Sequence, residues 1–517
     1  MSSSAPLAPS TRAAAPVAVQ VALLGVMSGI QTADPTIAST ALVESARALG
    51  MDAGVQTIAA SISTLMLAAT VISTGLLADR IGRKLLLILA LLTSILGDLI
   101  AAAAFDPIMY MAGRALAGIG LGAVFGAAFA YIRAVVPQAK LASAMGAFAA
   151  YGAIAMIAAS FVGGSMASLD WRLSFLVVPI LCALCLVAVL FVLPVQSKTG
   201  SGPADVGGQI LLALGIIGVL YGVSHAGAGL TSPLTWAPFL LGIVLLVVFA
   251  VVERKQTAFF PLDLFRNPGF IAAIGMGVAF NIAQAVAILQ FANIWQFVYG
   301  FHTLEVSLAQ LPMTLVSVVA SVLLGRMLTK GMSPATAVAI TAGATTIGFL
   351  SLALTFLSDS FWLFLPALVL IGFGMSGLVP YGALVIRIAP PAHFGAVTSS
   401  RTTIGQFGYA VGLSVSMVLV DALTTGGVIH KLEAAGVPPT RTGQALDAIQ
   451  QYTQHGTVPS SAEGGTALLS AAADSYHVAF FWVAVITAVV VAALALMTIV
   501  SYRRWAAIEA TKAPAAA

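Results

Sequence analysis

Apolar residues run almost unbroken for about twenty positions at a time along most of this chain, and polar residues collect in the short gaps between the runs. A run of that length suits one helical passage through a hydrocarbon layer ~30 Å thick. Lipid offers no partner to backbone N–H and C=O groups, so each run is expected to be a helix, and the runs are too long for barrel strands. Fourteen spans are predicted, near residues 16–42, 54–77, 85–104, 108–132, 141–167, 172–194, 206–225, 235–253, 269–298, 305–328, 333–356, 360–386, 395–422 and 476–501. A count of twelve would require the seventh and eighth runs to be something else, yet residues 210–221 and 239–252 are almost uniformly apolar. The expected fold is therefore an all-α integral membrane protein.

Composition agrees. The chain is 60% hydrophobic and 8% charged, far too little charge for the surface of a soluble domain of 517 residues. Its 49 glycines suit membrane helices, where small residues let backbones approach. The net charge of +4 is no nucleic-acid footprint, because the bases sit singly or in short groups at helix ends. Cys182 and Cys185 lie in one apolar run and read as small packing residues. The first apolar run is too long for a signal-peptide core and is taken as a retained helix.

Charge also orients the chain. With the N-terminus inside, sixteen Lys and Arg residues fall in cytoplasmic segments and four (Arg47, Arg172, Lys431 and Arg441) in outer ones. This bias fits the positive-inside rule and places both termini in the cytoplasm of a cell-membrane protein. The organisation expected is a tail over 1–15, a six-helix bundle over 16–194, a link with two inserted helices over 195–268, a second six-helix bundle over 269–501, and a tail over 502–517. The segment 424–474 is a polar outer loop in which 428–435 and 442–452 suggest short amphipathic helices. A faint repeat supports two equivalent halves. Gly75, Asp79 and Arg80 after the second span are echoed by Gly325, Arg326 and Lys330 after the tenth.

The chemistry concentrates in a few places. Gly75 to Lys84 (GLLADRIGRK) reads as a tight charged hairpin at the membrane surface. Inside the spans, Asp34, Asp98 and Arg114 fall at comparable depth and form a charge cluster of both signs. Ionisable groups inside a membrane are costly and mark function by default. Arg114 keeps its proton and so needs an anion, either Asp34 or Asp98, with protonation switching the pairing. Pro35 removes a helix hydrogen bond next to Asp34. Gly163, Gly164, Pro312 and Pro380 are further expected bends. Gln31, Asn281, Gln284, Gln290 and Asn293 are candidates for a substrate cavity, or for glue between helices. Trp295 and Tyr299 read as interfacial belt aromatics ahead of substrate platforms. The six histidines are scattered and no phosphate-binding loop is present, so neither a metal centre, a cofactor nor an enzyme is expected.

These motifs resemble the major facilitator superfamily, and more narrowly its fourteen-helix drug:proton antiporters. The hairpin is similar to the family's G-x-L-a-D-r-x-G-r-k signature. The resemblance implies that Gly75, Asp79, Arg80, Gly82 and Arg83 gate the cytoplasmic side. Arg401 lies in a pattern (Arg401, Gly405, Gly408) similar to one of the branch and would complete that gate. Asp34 followed by Pro35 and Thr36 resembles the acidic first-helix motif, and Arg114 with Gly118 and Gly120 the fourth-helix motif, although Ala117 stands where Gln is usual. Gly163 and Gly164, followed by Trp171, Arg172 and Phe175, match the framework of the antiporter motif, with Ala159 and Ser160 in place of Gly-Pro. The resemblance implies proton-coupled export of small, mostly apolar or cationic compounds by alternating access, through a monomer embedded in the bilayer. Export of a dedicated metabolite or lipid, or uncoupled facilitation, is the alternative.

Overall fold

The computed structural model describes residues 15–51, 53–137, 140–195, 206–226, 232–254, 262–301, 303–358, 360–388, 394–434 and 465–512. Nearly all of them are helical. The first helices are α1 (Val17–Leu49), α2 (Ala53–Ile81), α3 (Arg83–Ala102), α4 (Pro107–Val135), α5 (Leu141–Ala167) and α6 (Trp171–Val192). They are followed by α7 (Val206–Ala226), α8 (Pro233–Glu253) and α9 (Pro268–Phe297). The remainder comprises α10 (Thr303–Ala309), α11 (Leu311–Thr329), α12 (Pro334–Leu350), α13 (Leu365–Met375), α14 (Leu378–Ile388), α15 (Phe394–Ala434) and α16 (Gly465–Lys512).

Several helices start where a capping side chain precedes proline. The pairs are Asp106 with Pro107, Ser232 with Pro233, Asn267 with Pro268 and Ser333 with Pro334. The polar residue accepts a bond from a first-turn N–H, and proline occupies a position whose N–H would be orphaned anyway.

Twelve helices among the described residues are long and apolar enough to cross a membrane, and two shorter apolar stretches, Ile58–Val71 and Gly207–Val223, lie within α2 and α7. The expected eighth span is one of the twelve, over Pro233–Glu253.

The chain forms two compact units. One comprises Met1–Gly202 with Phe394–Ser399, the other Pro203–His393 with Ser400–Ala517. In the first, α3 lies between α4 and α6, α1 packs on α5, α6 and α4, and α2 packs on α4. In the second, α9 and α12 pack on α16, α13 packs on α11 and α12, and α7 packs on α8. One core of the second unit is rich in aromatic rings. Trp295 is fully buried there, stacked on Phe291 at 5.4 Å and edge-on to Phe364 at 5.7 Å. It is therefore not a belt residue as its place near the end of α9 suggested. Ring area, not the interface, decides its position.

The segment Gly75 to Lys84 is not the ten-residue hairpin expected from its charge. Helix α2 continues through Arg80 to Ile81 and α3 starts at Arg83. Only Gly82 breaks the helix, with φ of 98°, a conformation open to glycine at little cost. The tenth span is broken ahead of Pro312 into α10 and α11, and the eleventh ends in a 3-10 helix over Ser351–Phe356. The twelfth divides into α13 and α14 at Ser376 and Gly377, ahead of Pro380. Gly163 and Gly164, by contrast, do not interrupt α5, which runs through both, and Gly163 leaves room for Ile37 of α1. Helix α1 likewise continues past Pro35.

The segment between α15 and α16 is narrower than the outer loop expected over 424–474. Helix α15 extends to Ala434 and α16 begins at Gly465, and Lys431 pairs with Asp474 at 3.2 Å across them. The expected helix over 428–435 is the end of α15. The segment 442–452 and the link 196–203 lie outside the described residues. The tail expected at 502 begins as helix, since α16 reaches Lys512.

Candidate functional site

The first unit encloses one cluster of opposite charges. Arg114 projects from α4, Asp34 from α1 and Asp98 from α3, each no more than 2% exposed. The guanidinium Nη1 donates to Asp34 Oδ1 at 2.6 Å and to Asp98 Oδ1 at 2.7 Å, and Nη2 donates to Asp34 Oδ2 at 2.7 Å. Arg114 thus grips Asp34 with a two-pronged fork and holds Asp98 with one prong, a geometry that lysine cannot offer. Where a pairing with one acid or the other was expected, Arg114 here bonds both at once.

Ser63 on α2, which sequence reasoning missed, donates its hydroxyl to Asp34 Oδ2 at 3.0 Å. The guanidinium also rests on the Phe175 ring, 5.2 Å from its centre. Tyr110, one helical turn before Arg114, and Trp171 stand edge-on to that ring and to each other, closing an aromatic wall beside the charges. The glycines after Arg114 explain how four helices meet here. A Cβ on Gly118 would run into the backbone of Ser63, so only glycine lets α4 and α2 approach closely enough for Ser63 to reach Asp34.

The other expected site residues are dispersed. Gln290 is buried within the second unit, donating to Ser416 of α15 at 3.1 Å and accepting from Tyr476 of α16 at 3.2 Å. It joins three helices. Asn281 turns back to the Gly277 carbonyl of its own helix at 2.8 Å. Gln284 and Asn293 are half-buried in α9, and Gln31 is buried in α1. A small cavity of about 30 Å³ inside the second unit is lined chiefly by apolar side chains of α9, α12, α13 and α16, with Thr341 and Thr345. It holds none of the five.

Arg401 is buried in the second unit beneath the Tyr381 ring, 5.5 Å from its centre, and its carbonyl accepts the Tyr381 hydroxyl at 3.0 Å. The side chains of Gly75 and Asp79 lie outside the described residues, while Arg80 and Arg83 are half-buried at the helix ends beside Gly82. Among the described residues no group of three or more His, Cys, Asp or Glu is placed to hold a metal ion. Both cysteines are free and buried.

A family model described as Major Facilitator Superfamily matches residues 23–413, and the chain belongs to that family. The multidrug efflux pump LfrA of Mycolicibacterium smegmatis is 27% identical over 451 residues, covering 85% of this chain and 87% of that protein. The puromycin resistance protein pur8 of Streptomyces alboniger is 27% identical over 402 residues, or 73% and 76% of the two chains. The multidrug transporter MdtP of Bacillus subtilis is 25% identical over 371 residues, or 69% and 67%. Among solved structures, the proton:xylose symporter XylE superposes with a TM-score of 0.57 at 13% identity, covering 92% of this chain and 94% of its own. A bacterial homologue of the human lysosomal transporter Spinster gives 0.57 at 16% identity, covering 95% and 98%. These likenesses establish the fold.

Proposed function

We propose that this protein exports small, mostly apolar or cationic compounds in exchange for protons, by alternating access, with both termini in the cytoplasm. The observation that carries the reading is the contact of Asp34 and Asp98 with a single arginine inside the membrane. Two carboxyls sharing one permanent cation cannot both ionise without leaving net charge in a medium of low dielectric constant. Such a cluster binds and releases a proton as its surroundings change, which couples a proton to a change of shape. A proton entering down a membrane potential supplies ~2.3 kcal/mol per 100 mV. The names of LfrA, MdtP and pur8 favour drugs and antibiotics as cargo. In this reading Asp79, Arg80, Arg83 and Arg401 act at the cytoplasmic gate, and Gly82 provides its turn.

The test is transport in proteoliposomes with an imposed pH gradient, using a panel of toxic compounds that includes puromycin and methyl viologen. Wild type should move at least one compound uphill while protons move the other way. Asp34→Asn should fold and lose uphill transport. Full-rate uphill pumping by Asp34→Asn would remove that carboxylate from the coupling.

A further inference from the structure

The two carboxyls in contact with Arg114 differ in a way that assigns them separate tasks. Asp34 is satisfied on both oxygens, through the two-pronged bond to Arg114 and the hydroxyl of Ser63. Three donors thus meet the one carboxylate of Asp34. Asp98 receives a single bond, on Oδ1. Its Oδ2 is buried and has no hydrogen-bond partner among the described residues.

Charge balance points the same way. Among the described residues, no base other than Arg114 forms an ion pair with either acid. With both acids ionised the enclosure would hold one uncompensated negative charge, shut off from water. One proton removes that charge, and the bare oxygen of Asp98 accepts it without breaking a bond. The hydroxyl so formed lacks an acceptor, a smaller cost than an unpaired buried charge.

We infer that the cluster holds one proton, seated on Oδ2 of Asp98, while Asp34 remains the ionised partner of Arg114. The inference deepens the proposed coupling and rests on that reading for its meaning. The other titratable groups facing the cluster are Tyr110 of α4 and Cys182 of α6, whose thiol lies 3.8 Å from Ser94 Oγ, one turn before Asp98 on α3. Neither is a base at neutral pH, so no neighbour inside the enclosure draws the proton away. Release requires the helices to part or Arg114 to turn fully onto Asp98.

Infrared spectroscopy of the full-length protein in lipid vesicles tests this directly. Wild type at neutral pH should show a protonated-carboxyl stretching band that shifts in heavy water. Asp98→Asn should lack it. Ser94→Ala, altered beside Asp98, should displace the band, whereas Ser63→Ala, altered beside Asp34, should leave it in place. The reverse pattern seats the proton on Asp34 and overturns the assignment. A wild type with no band that Asp98→Asn removes overturns the single-proton state.

Thermal stability gives a second measurement. Asp98→Asn mimics the protonated form, so its melting temperature should match wild type at neutral pH. It should then exceed wild type in alkali, where wild type loses the proton. Asp34→Asn should melt lower throughout. A lower melting point for Asp98→Asn than for Asp34→Asn would contradict the division of roles. The proteoliposome experiment remains separate: coupled transport by a wild type without the band sinks this inference alone, and a band without coupled transport sinks only the coupling.

Discussion

At the scale of single residues, the fork from Arg114 to Asp34 fixes what substitutions should do. Arg114→Gln leaves a buried acid without its cation and should lower unfolding stability by about 3–5 kcal/mol. Arg114→Lys retains charge but cannot span both acids, so it should recover only part of that loss. Ser63→Ala removes one hydrogen bond to a carboxylate and should cost about 1.5–3 kcal/mol. Denaturant titration in mixed micelles checks the ranking, and a Ser63→Ala protein as unstable as Arg114→Gln would contradict it. The three charged members of this cluster were legible in the sequence, because a charge within an apolar run must find a partner. Ser63 was not. Hydroxyls in membrane helices commonly bond back to their own backbone, as Thr32, Ser39 and Thr40 do here, and nothing local marks Ser63 as different. The role of Gln290 was not legible for a related reason: an amide that joins helices, as Gln290 does, and an amide that lines a cavity present the same residue type at the same depth.

At the scale of helices, α3 and α6 are tied to each other at both ends. Lys84, in the first turn of α3, donates to the Leu190 and Leu193 carbonyls at the end of α6, at 3.0 and 2.7 Å. Arg172, in the first turn of α6, donates to the Ala102 carbonyl at the end of α3 at 2.7 Å and stacks on Trp171 at 4.3 Å. Each base satisfies orphaned carbonyls of the neighbouring helix and meets the negative end of its dipole. Since α3 carries Asp98 and α6 carries Phe175, the two ties hold the walls around Arg114 in register. Lys84→Met and Arg172→Met should each cost about 1–2 kcal/mol. A helix of 20 residues is ~30 Å long, so the two losses should add in the double variant. Strong non-additivity in unfolding measurements would show that the ties act as one. The long helices were readable from the apolar runs, and the breaks at Pro312 and before Pro380 follow from the missing proline N–H. Gly163 and Gly164 do not break α5 because glycine weakens a helix without removing a hydrogen bond, and the room at Gly163 is filled by Ile37.

At the scale of the molecule, the open question is whether α7 and α8 both cross the bilayer. Each has 21 residues, a length of ~31 Å, enough for one passage. The apolar stretch of α7 is the shorter, over Gly207–Val223, and its far end carries Tyr221 stacked on His225 at 3.9 Å. An aromatic pair with polar edges suits a headgroup boundary. The bases Lys198 on one side of the pair of helices and Arg254 and Lys255 on the other favour a return to the cytoplasm. If both helices span, a cysteine at Lys198 or Arg254 should react with an impermeant maleimide only from the inside, and one at Ser232 only from the outside. If neither spans, all three should react from the inside. Cys182 and Cys185 are buried and should stay silent until the protein is unfolded, though a background lacking both makes the labelling unambiguous. Reaction of Ser232→Cys from the inside would reduce the count to twelve spans and leave α7 and α8 lying along the cytoplasmic face. Since two added crossings change no other orientation, the positive-inside pattern elsewhere survives either result, and the single label at Ser232 decides.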